Sequence, residues 1–283
     1  MTKLKKTCLW IIGILIVLTI GVFIVLKSPV NVEQVIPLGG TGNAEFQVDT
    51  DGTLTTNLLA YWKLEDTADS WSTFTLTNGN TVTFVAGKVN NSASFARTSS
   101  QYLQTSSLVT TAVDDFSVSL WVNIPDASEY GCFFHNGDPV VAGGDDGWSF
   151  GVGNTTFDNS GSQGNNLLIL ANGVAWKTAI GAIGTGWHHI IVMRDSGTWK
   201  GYIDTVLGTT SIGAPSTPTV ATMIGANNTD GASSAYWNDK IDEVAIWDKV
   251  LSAQEITDLY NSGSGQTMVE VEAELIHAPV NWW

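Results

Sequence analysis

The stretch GWHHIIVMRDSGTWKGYID, residues 186–204, decides the fold class. Its first half, WHHIIVMR (187–194), is apolar on both faces, as suits a strand inside a sheet with material on either side. Asp195, Ser196 and Gly197 make a turn and TWKGYID (198–204) resumes an extended pattern, so the whole reads as a β-hairpin. His188 and His189 then point to opposite faces, which suits packing better than chelation or catalysis. Upstream, Phe116, Val118, Leu120 and Val122 alternate with Ser117, Ser119, Trp121 and Asn123. With a side-chain period of two, the first set builds a core and the second a partly polar face. From Leu58 onward, short apolar runs alternate with Gly, Asn, Asp and Ser clusters, the pattern of many antiparallel strands joined by turns.

One helix is legible. Ser252 precedes Glu255 by three, a capping box in which the hydroxyl satisfies an orphan N–H and the carboxylate reaches back; Ile256, Leu259 and Tyr260 share a face, and Gly263 supplies the stop. Beyond Gly265, Val269, Val271, Ala273 and Leu275 alternate with Glu270, Glu272 and Glu274, an amphipathic strand pattern with no assigned partner. The expectation is an all-β, two-sheet antiparallel sandwich over residues 57–263 with one short C-terminal helix, followed by a tail, 264–283.

Composition narrows the function. Twelve Lys and Arg stand against 27 Asp and Glu, a net charge of −15, which argues against a nucleic-acid partner because phosphate backbones need a basic face. Charged residues are only 14% and hydrophobic ones 43%, with 12 Trp, which excludes a disordered or coiled-coil chain. The two cysteines, Cys8 and Cys132, exclude a disulfide framework and a multi-cysteine metal site; Cys132 reads as a small buried hydrophobe.

Residues 7–26 carry no charge and, at ~1.5 Å per residue, span a ~30 Å hydrocarbon core as a single transmembrane helix. A cleaved signal would have a shorter apolar region, and no A-x-A-like site follows Leu26. Lys3, Lys5 and Lys6 in the stub 1–6, against Lys27 on the far side, place the N-terminus in the cytoplasm by the positive-inside rule. The C-terminal domain is then extracellular or periplasmic, a single-pass arrangement with the lipid bilayer as partner of residues 7–26. Residues 27–56, with Pro29, Pro37 and Gly39-Gly40-Thr41-Gly42, read as a stalk.

The order of segments resembles the laminin-G-like members of the concanavalin A-like lectin/glucanase superfamily. The resembling pieces are LLAYWKLEDTADS (58–70), GKVNNSASF (87–95), SQYLQT (100–105), DFSVSLWVN (115–123), the hairpin at 186–204, IGANN (224–228) and IDEVAIWDKVLSAQEITDLYNSG (241–263). The resemblance implies a jelly roll of two curved antiparallel sheets with rim loops. Two positions depart from it: Thr205 follows Asp204 where such domains commonly turn on Gly, and Lys240 stands where a small residue is usual. Both touch local geometry and leave the fold intact.

Glycosidases need two carboxylates flanking the scissile bond, roughly 5 to 9.5 Å apart. In the enzymatic relatives these come from a Glu-x-Asp-x-x-Glu alternation, which DKIDEVAIWD (239–248) lacks. Asp114-Asp115 and Asp145-Asp146 read as solvated loop acids, and no G-x-S-x-G or H-E-x-x-H occurs, so no catalytic residues are expected. Asp242 shares a strand face with Val244 and Ile246, so its carboxylate leaves water and needs a cation or donors. The resemblance implies a structural Ca²⁺ joining the early segment to the late Asp-containing strand, with Asp66, Asp69 and Asp242 as ligands. The alternative is that Asp242 pairs with Lys240, Arg97 or a turn N–H while Asp66 and Asp69 cap their own turn. For a sugar, whose C–H face sits on aromatic rings, the available aromatics are Trp71, Trp148, Trp176, Tyr236 and Trp237; exposure is expected for Tyr236 and Trp237 in their Asn/Asp/Ser-rich loop, and Trp148 with Asp146 completes the candidate set, while Trp62, Trp121, Trp187 and Trp247 are assigned to packing. The function expected is a membrane-anchored lectin-like adhesion domain binding carbohydrate or a surface glycoprotein. A structural surface or virion protein making protein contacts is the alternative, and a glycoside hydrolase comes third.

Overall fold

The computed structural model describes residues 53–137, 147–153, 165–171, 174–210, 212–219, 221–229 and 232–268. All lie within one unit, Phe46–Val271. In chain order the strands are β1 (Leu58–Trp62), β2 (Leu76–Gly79), β3 (Thr83–Ala86), β4 (Asn91–Phe95), β5 (Tyr102–Thr105), β6 (Phe116–Ile124), β7 (Gly131–Asn136), β8 (Trp148–Gly153), β9 (Asn166–Ala171) and β10 (Val174–Ala182). They continue as β11 (Gly186–Asp195), β12 (Thr198–Ile203), β13 (Val206–Thr210), β14 (Thr222–Ile224), β15 (Asn227–Thr229), β16 (Ala232–Ser234) and β17 (Asp239–Trp247), and helix α1 (Ala253–Tyr260) follows.

Two antiparallel sheets result. One, of eight strands, runs β13-β12-β11-β6-β17-β4-β3 with β1 also on β17; the other, of seven, runs β10-β9-β8-β7-β14-β5-β2. The architecture is that of a jelly-roll sandwich, and β11–β12 is the hairpin read from residues 186–204. On β6, Phe116, Val118, Leu120 and Val122 face the core between the sheets, where they meet Phe150 and Ile169 from the opposite layer. That burial removes the alternating apolar set from water, at ~25 cal/mol per Å² the main stabilisation of such a sandwich. The partner set turns outward and is satisfied locally: Ser117 Oγ donates to the Lys249 carbonyl at 2.8 Å, and Asn123 Nδ2 donates to Asp239 at 2.9 Å.

The outer face of the eight-stranded sheet carries a second apolar cluster, with Tyr61, Ile191, Met193 and Trp247 packed beneath Ile256 and Leu259 of α1. The capping box is formed, with Ser252 Oγ accepting from the Glu255 N–H and Glu255 accepting from the Ser252 N–H. The helix ends on Asn261 in the left-handed region, two residues before the expected Gly263, because Asn also tolerates that conformation. Leu54 and Met268 are buried in the same cluster, so packing extends past residues 57–263 at both ends. The Asp204–Thr205 turn keeps its geometry without glycine: both residues have positive φ, 50° and 72°. The Asp204 carboxylate compensates by accepting from the His189 N–H at 2.9 Å and binding His188 Nδ1 at 2.6 Å.

No helix among the described residues is long and apolar enough to cross a membrane. The apolar stretch 7–26, most of the stalk reading and the strand pattern beyond Val269 lie outside the described residues.

Candidate functional site

Three connections meet at one end of the sandwich: the segment between β4 and β5, the loop between β6 and β7, and the approach to β17. The first supplies Arg97, the second Glu129 and Tyr130, the third Tyr236 and Asn238. The Arg97 guanidinium lies 3.8 Å over the Tyr130 ring, pairs with Glu129 and the Tyr130 carbonyl, and donates Nε–H to the Tyr236 carbonyl at 2.9 Å. Glu129 also accepts from the Tyr130 N–H at 2.9 Å and from Asn238 Nδ2 at 3.3 Å. The Glu129 side chain is buried, and Arg97, Tyr130 and Tyr236 keep partial contact with solvent. One arginine thus ties three connections together, with its guanidinium over the Tyr130 ring and its Nε–H on the main chain of the partly exposed Tyr236. A pyranose lays its C–H face on an aromatic ring and its hydroxyls on planar polar groups, and this rim carries both kinds of group.

Of the residues picked from sequence, Tyr236 belongs to this rim. Trp237 does not: expected at the surface, it is 0% exposed, edge-on to Phe133 at 4.8 Å with Gly131 against its backbone. Trp148, also picked as a platform, is 1% exposed because it opens β8 on the core face and stacks on Phe116 at 4.3 Å. Neither indole offers a face to a ligand, and both correct the expectation, since a polar neighbourhood in sequence says little about which face of a strand a residue takes. Asp146 lies outside the described residues. Trp62, Trp121 and Trp247 are buried as expected, whereas Trp187 is half-exposed. Asp114 and Asp115 are more than solvated acids: they accept from the Gly197 and Ser196 N–H groups, each at 3.0 Å, and so cap the β11–β12 turn.

Sequence reasoning missed Glu129 and Tyr130, and weighed Arg97 only as a partner of Asp242, whereas it pairs with Glu129. The available signal was scarcity, for Arg97 is one of only two arginines in the chain.

A second concentration of chemistry sits on β17. Opposite Leu120 the strand bulges, its register against β6 slipping between Asp242 and Ala245, and Glu243 takes φ 50°. Here β17 changes neighbour, from β4 at residues 239–241 to β1 at 244–247. A non-glycine residue held in the left-handed region at a bulge re-aims its side chain, and Glu243 turns under α1, where it accepts from the Tyr61 hydroxyl. Burial pushes the Glu243 carboxyl well up and the Asp242 carboxyl up to about 7. His189 nearby, with Nε2 2.8 Å from Ser119 Oγ, is driven down to about 3 by burial. The cavity that Glu243, His189 and Ser119 line with Tyr61, Trp121 and Met268 is about 10 Å³, room for one water. Glu243 is sealed beside a space of that size while Asp242 is buried against the Lys88 and Val89 amides, so the two do not flank a space for a sugar.

The acids singled out for calcium all face N–H donors. Asp69 accepts from the Tyr61, Trp71 and Phe74 amides at 3.1, 2.9 and 3.0 Å. Asp66 accepts from the Ala68 amide at 2.7 Å. Asp242 accepts from the Lys88, Val89 and Glu243 amides at 2.8, 2.9 and 2.9 Å. No group of three metal-ligating side chains is brought together among the described residues. Ca²⁺ requires ~6–8 inward-facing oxygens, whereas Asp69 and Asp242 are ringed by the positive ends of amide dipoles. Asp69 and Asp242, ringed by amides, do not fit a cation, and Asp66 caps its own turn through one amide; of the alternative partners weighed for Asp242, the turn N–H groups are the ones it meets.

A sequence profile of the Concanavalin A-like lectin/glucanases superfamily matches residues 97–257. No curated protein matches the chain. Among solved structures, domain 4 of AbnA, a GH43 extracellular arabinanase from Geobacillus stearothermophilus, in complex with arabinotriose, is similar with a TM-score of 0.50 and 22% identity, over 71% of this chain and 97% of that one. A mutant Trypanosoma rangeli sialidase displaying trans-sialidase activity is similar with a TM-score of 0.50 and 14% identity, over 75% of this chain but 34% of the sialidase. The binding domain of Paraclostridial Mosquitocidal Protein 1 gives a TM-score of 0.51 and 14% identity, over 74% and 53%. At these identities the likeness is one of fold.

Proposed function

The chain belongs to the Concanavalin A-like lectin/glucanases superfamily, and from that premise we propose that it is a membrane-anchored, outward-facing, non-catalytic carbohydrate-binding domain. The observation that carries this reading is the rim, where Arg97 holds Tyr130 and Tyr236 in place on three converging loops. The arabinotriose complex of the similar arabinanase domain supports the ligand class, and the sealed carboxylates on β17 support a role without hydrolysis. The uncharged segment 7–26 supports the anchor, with the N-terminus cytoplasmic and the sandwich beyond the membrane.

The test is a glycan array probed with the full-length protein in detergent, beside a Tyr130→Ala/Tyr236→Ala variant with an unchanged melting curve. Selective binding by the wild type that weakens by about tenfold or more in the variant is expected. Folded wild type that binds no glycan overturns the reading. A second reading, protein–protein contact by a structural surface protein, is favoured by one observation: the exposed large hydrophobics among the described residues, Val206 at 70%, Leu207 at 51% and Val85 at 37%, all sit on β13 and β3. These are the two edges of the eight-stranded sheet, and neither carries a charge.

A further inference from the structure

The early segment and the late strand, which the family resemblance joins through a cation, meet in this chain at the turn between β3 and β4. The turn closes with the Gly87 N–H donating to the Asn90 carbonyl at 2.8 Å, and Asn90 adopts φ 53°. Three of its amides point to two carboxylates that are far apart in the sequence and brought together by the pairing of β1 with β17. The Lys88 and Val89 amides go to Asp242 on β17, and the Asn91 amide goes to both oxygens of Glu65, which follows β1, at 3.2 Å each. A Cβ at Gly87 would stand 2.6 Å from Asp242 Oδ2 and 2.6 Å from the Ser92 Cβ, so the close approach requires glycine.

We infer that the amides of the turn Gly87–Asn91 stand where the resemblance puts calcium, bridging Glu65 and Asp242, and that this chain folds and remains folded without a divalent cation. Successive N–H groups converging on carboxylates form a partial positive charge fixed by covalent geometry. Such a centre needs no ion uptake, and its donors repel one. Asp69 repeats the arrangement beside it, with three amides tying β1 to the following turn.

The experiment uses the full-length protein in detergent, dialysed against EDTA and then melted with and without millimolar CaCl₂, with metal content read by mass spectrometry. Coincident melting curves and no retained metal are expected. A calcium-dependent rise of about 5 °C or more, or about one calcium retained per chain, overturns the inference. Two variants sharpen it. Gly87→Ala, which pushes Asp242 off the amides, and Glu65→Gln, which weakens the Asn91 contact, lower the melting temperature by the same amount in calcium and in EDTA. A loss seen only in calcium also overturns it. Because the readouts are metal content and melting, the inference stands or falls independently of sugar binding.

Discussion

The rim and the β17 bulge are both built around buried carboxylates, and they balance charge in opposite ways. At the rim Glu129 meets a guanidinium, which also holds two carbonyls and lies on a tyrosine ring, and the assembly keeps one side in water. At the bulge, Asp242 and Glu243 are compensated by amide and hydroxyl dipoles, with His189 neutral alongside. A paired ion presents charge and hydrogen-bonding capacity outward; dipole-compensated acids hide it and titrate instead. The difference marks the first region as suited to recognition and the second as a fastening.

The largest expected effect is in the pH dependence of the bulge. Asp242 titrates at about 7 in the folded chain against 3.8 ordinarily, so the folded state holds the extra proton between those values. The stability this group gives is complete below its unfolded value and is lost as pH rises through about 7. His189 has the opposite sign: held at about 3 against 6.5, it stabilises above 6.5 and loses that contribution as pH falls toward 3. Each is worth on the order of 4 kcal/mol at full titration, and in the wild type they largely oppose one another. Urea unfolding from about pH 4 to about pH 8 therefore gives difference curves of opposite slope when the wild type is set against Asp242→Asn and against His189→Gln. Two flat difference curves would break the comparison.

Next comes the ion pair. Arg97→Ala leaves Glu129 buried with only an amide and a side-chain donor, a cost of about 2–3 kcal/mol after allowance for the partly exposed guanidinium. Adding Glu129→Gln in the same chain recovers about half of it, measured by chemical denaturation; no recovery means that Arg97 acts by packing alone. Ser252→Ala removes the cap of the helix that seals the bulge and costs about 1 kcal/mol, read as a lower melting temperature with unchanged glycan binding. The smallest effect on stability, within about 0.5 kcal/mol, belongs to Tyr236→Ala, which should nonetheless weaken glycan binding. A Tyr236→Ala protein that binds as well as the wild type removes that ring from the rim's function.

Much of the fold could be read along the chain because its signals are local. The hairpin over 186–204, the two-faced strand at Phe116 and the capping box at Ser252 each depend on neighbours within a few residues. The candidate site was barely legible. Tyr236 stood in a polar loop and sits at the rim, yet its neighbour Trp237 turns its side chain the other way into the core, while its backbone amide donates to the Gly225 carbonyl at 2.8 Å. Nothing between Ser234 and Asp239 encodes that division. It follows from β7 and the β14 end closing over one side of the loop.

The sequence by itself determined the β class, the alternation that fills the core and the position of the helix, because period, turn chemistry and caps act over short separations. Tertiary structure alone decided which acids are paired by an ion and which by amides. Arg97 reaches Glu129 across 32 residues and Asp242 reaches the Lys88 amide across 154, and such contacts exist only once the sheets have brought distant strands side by side.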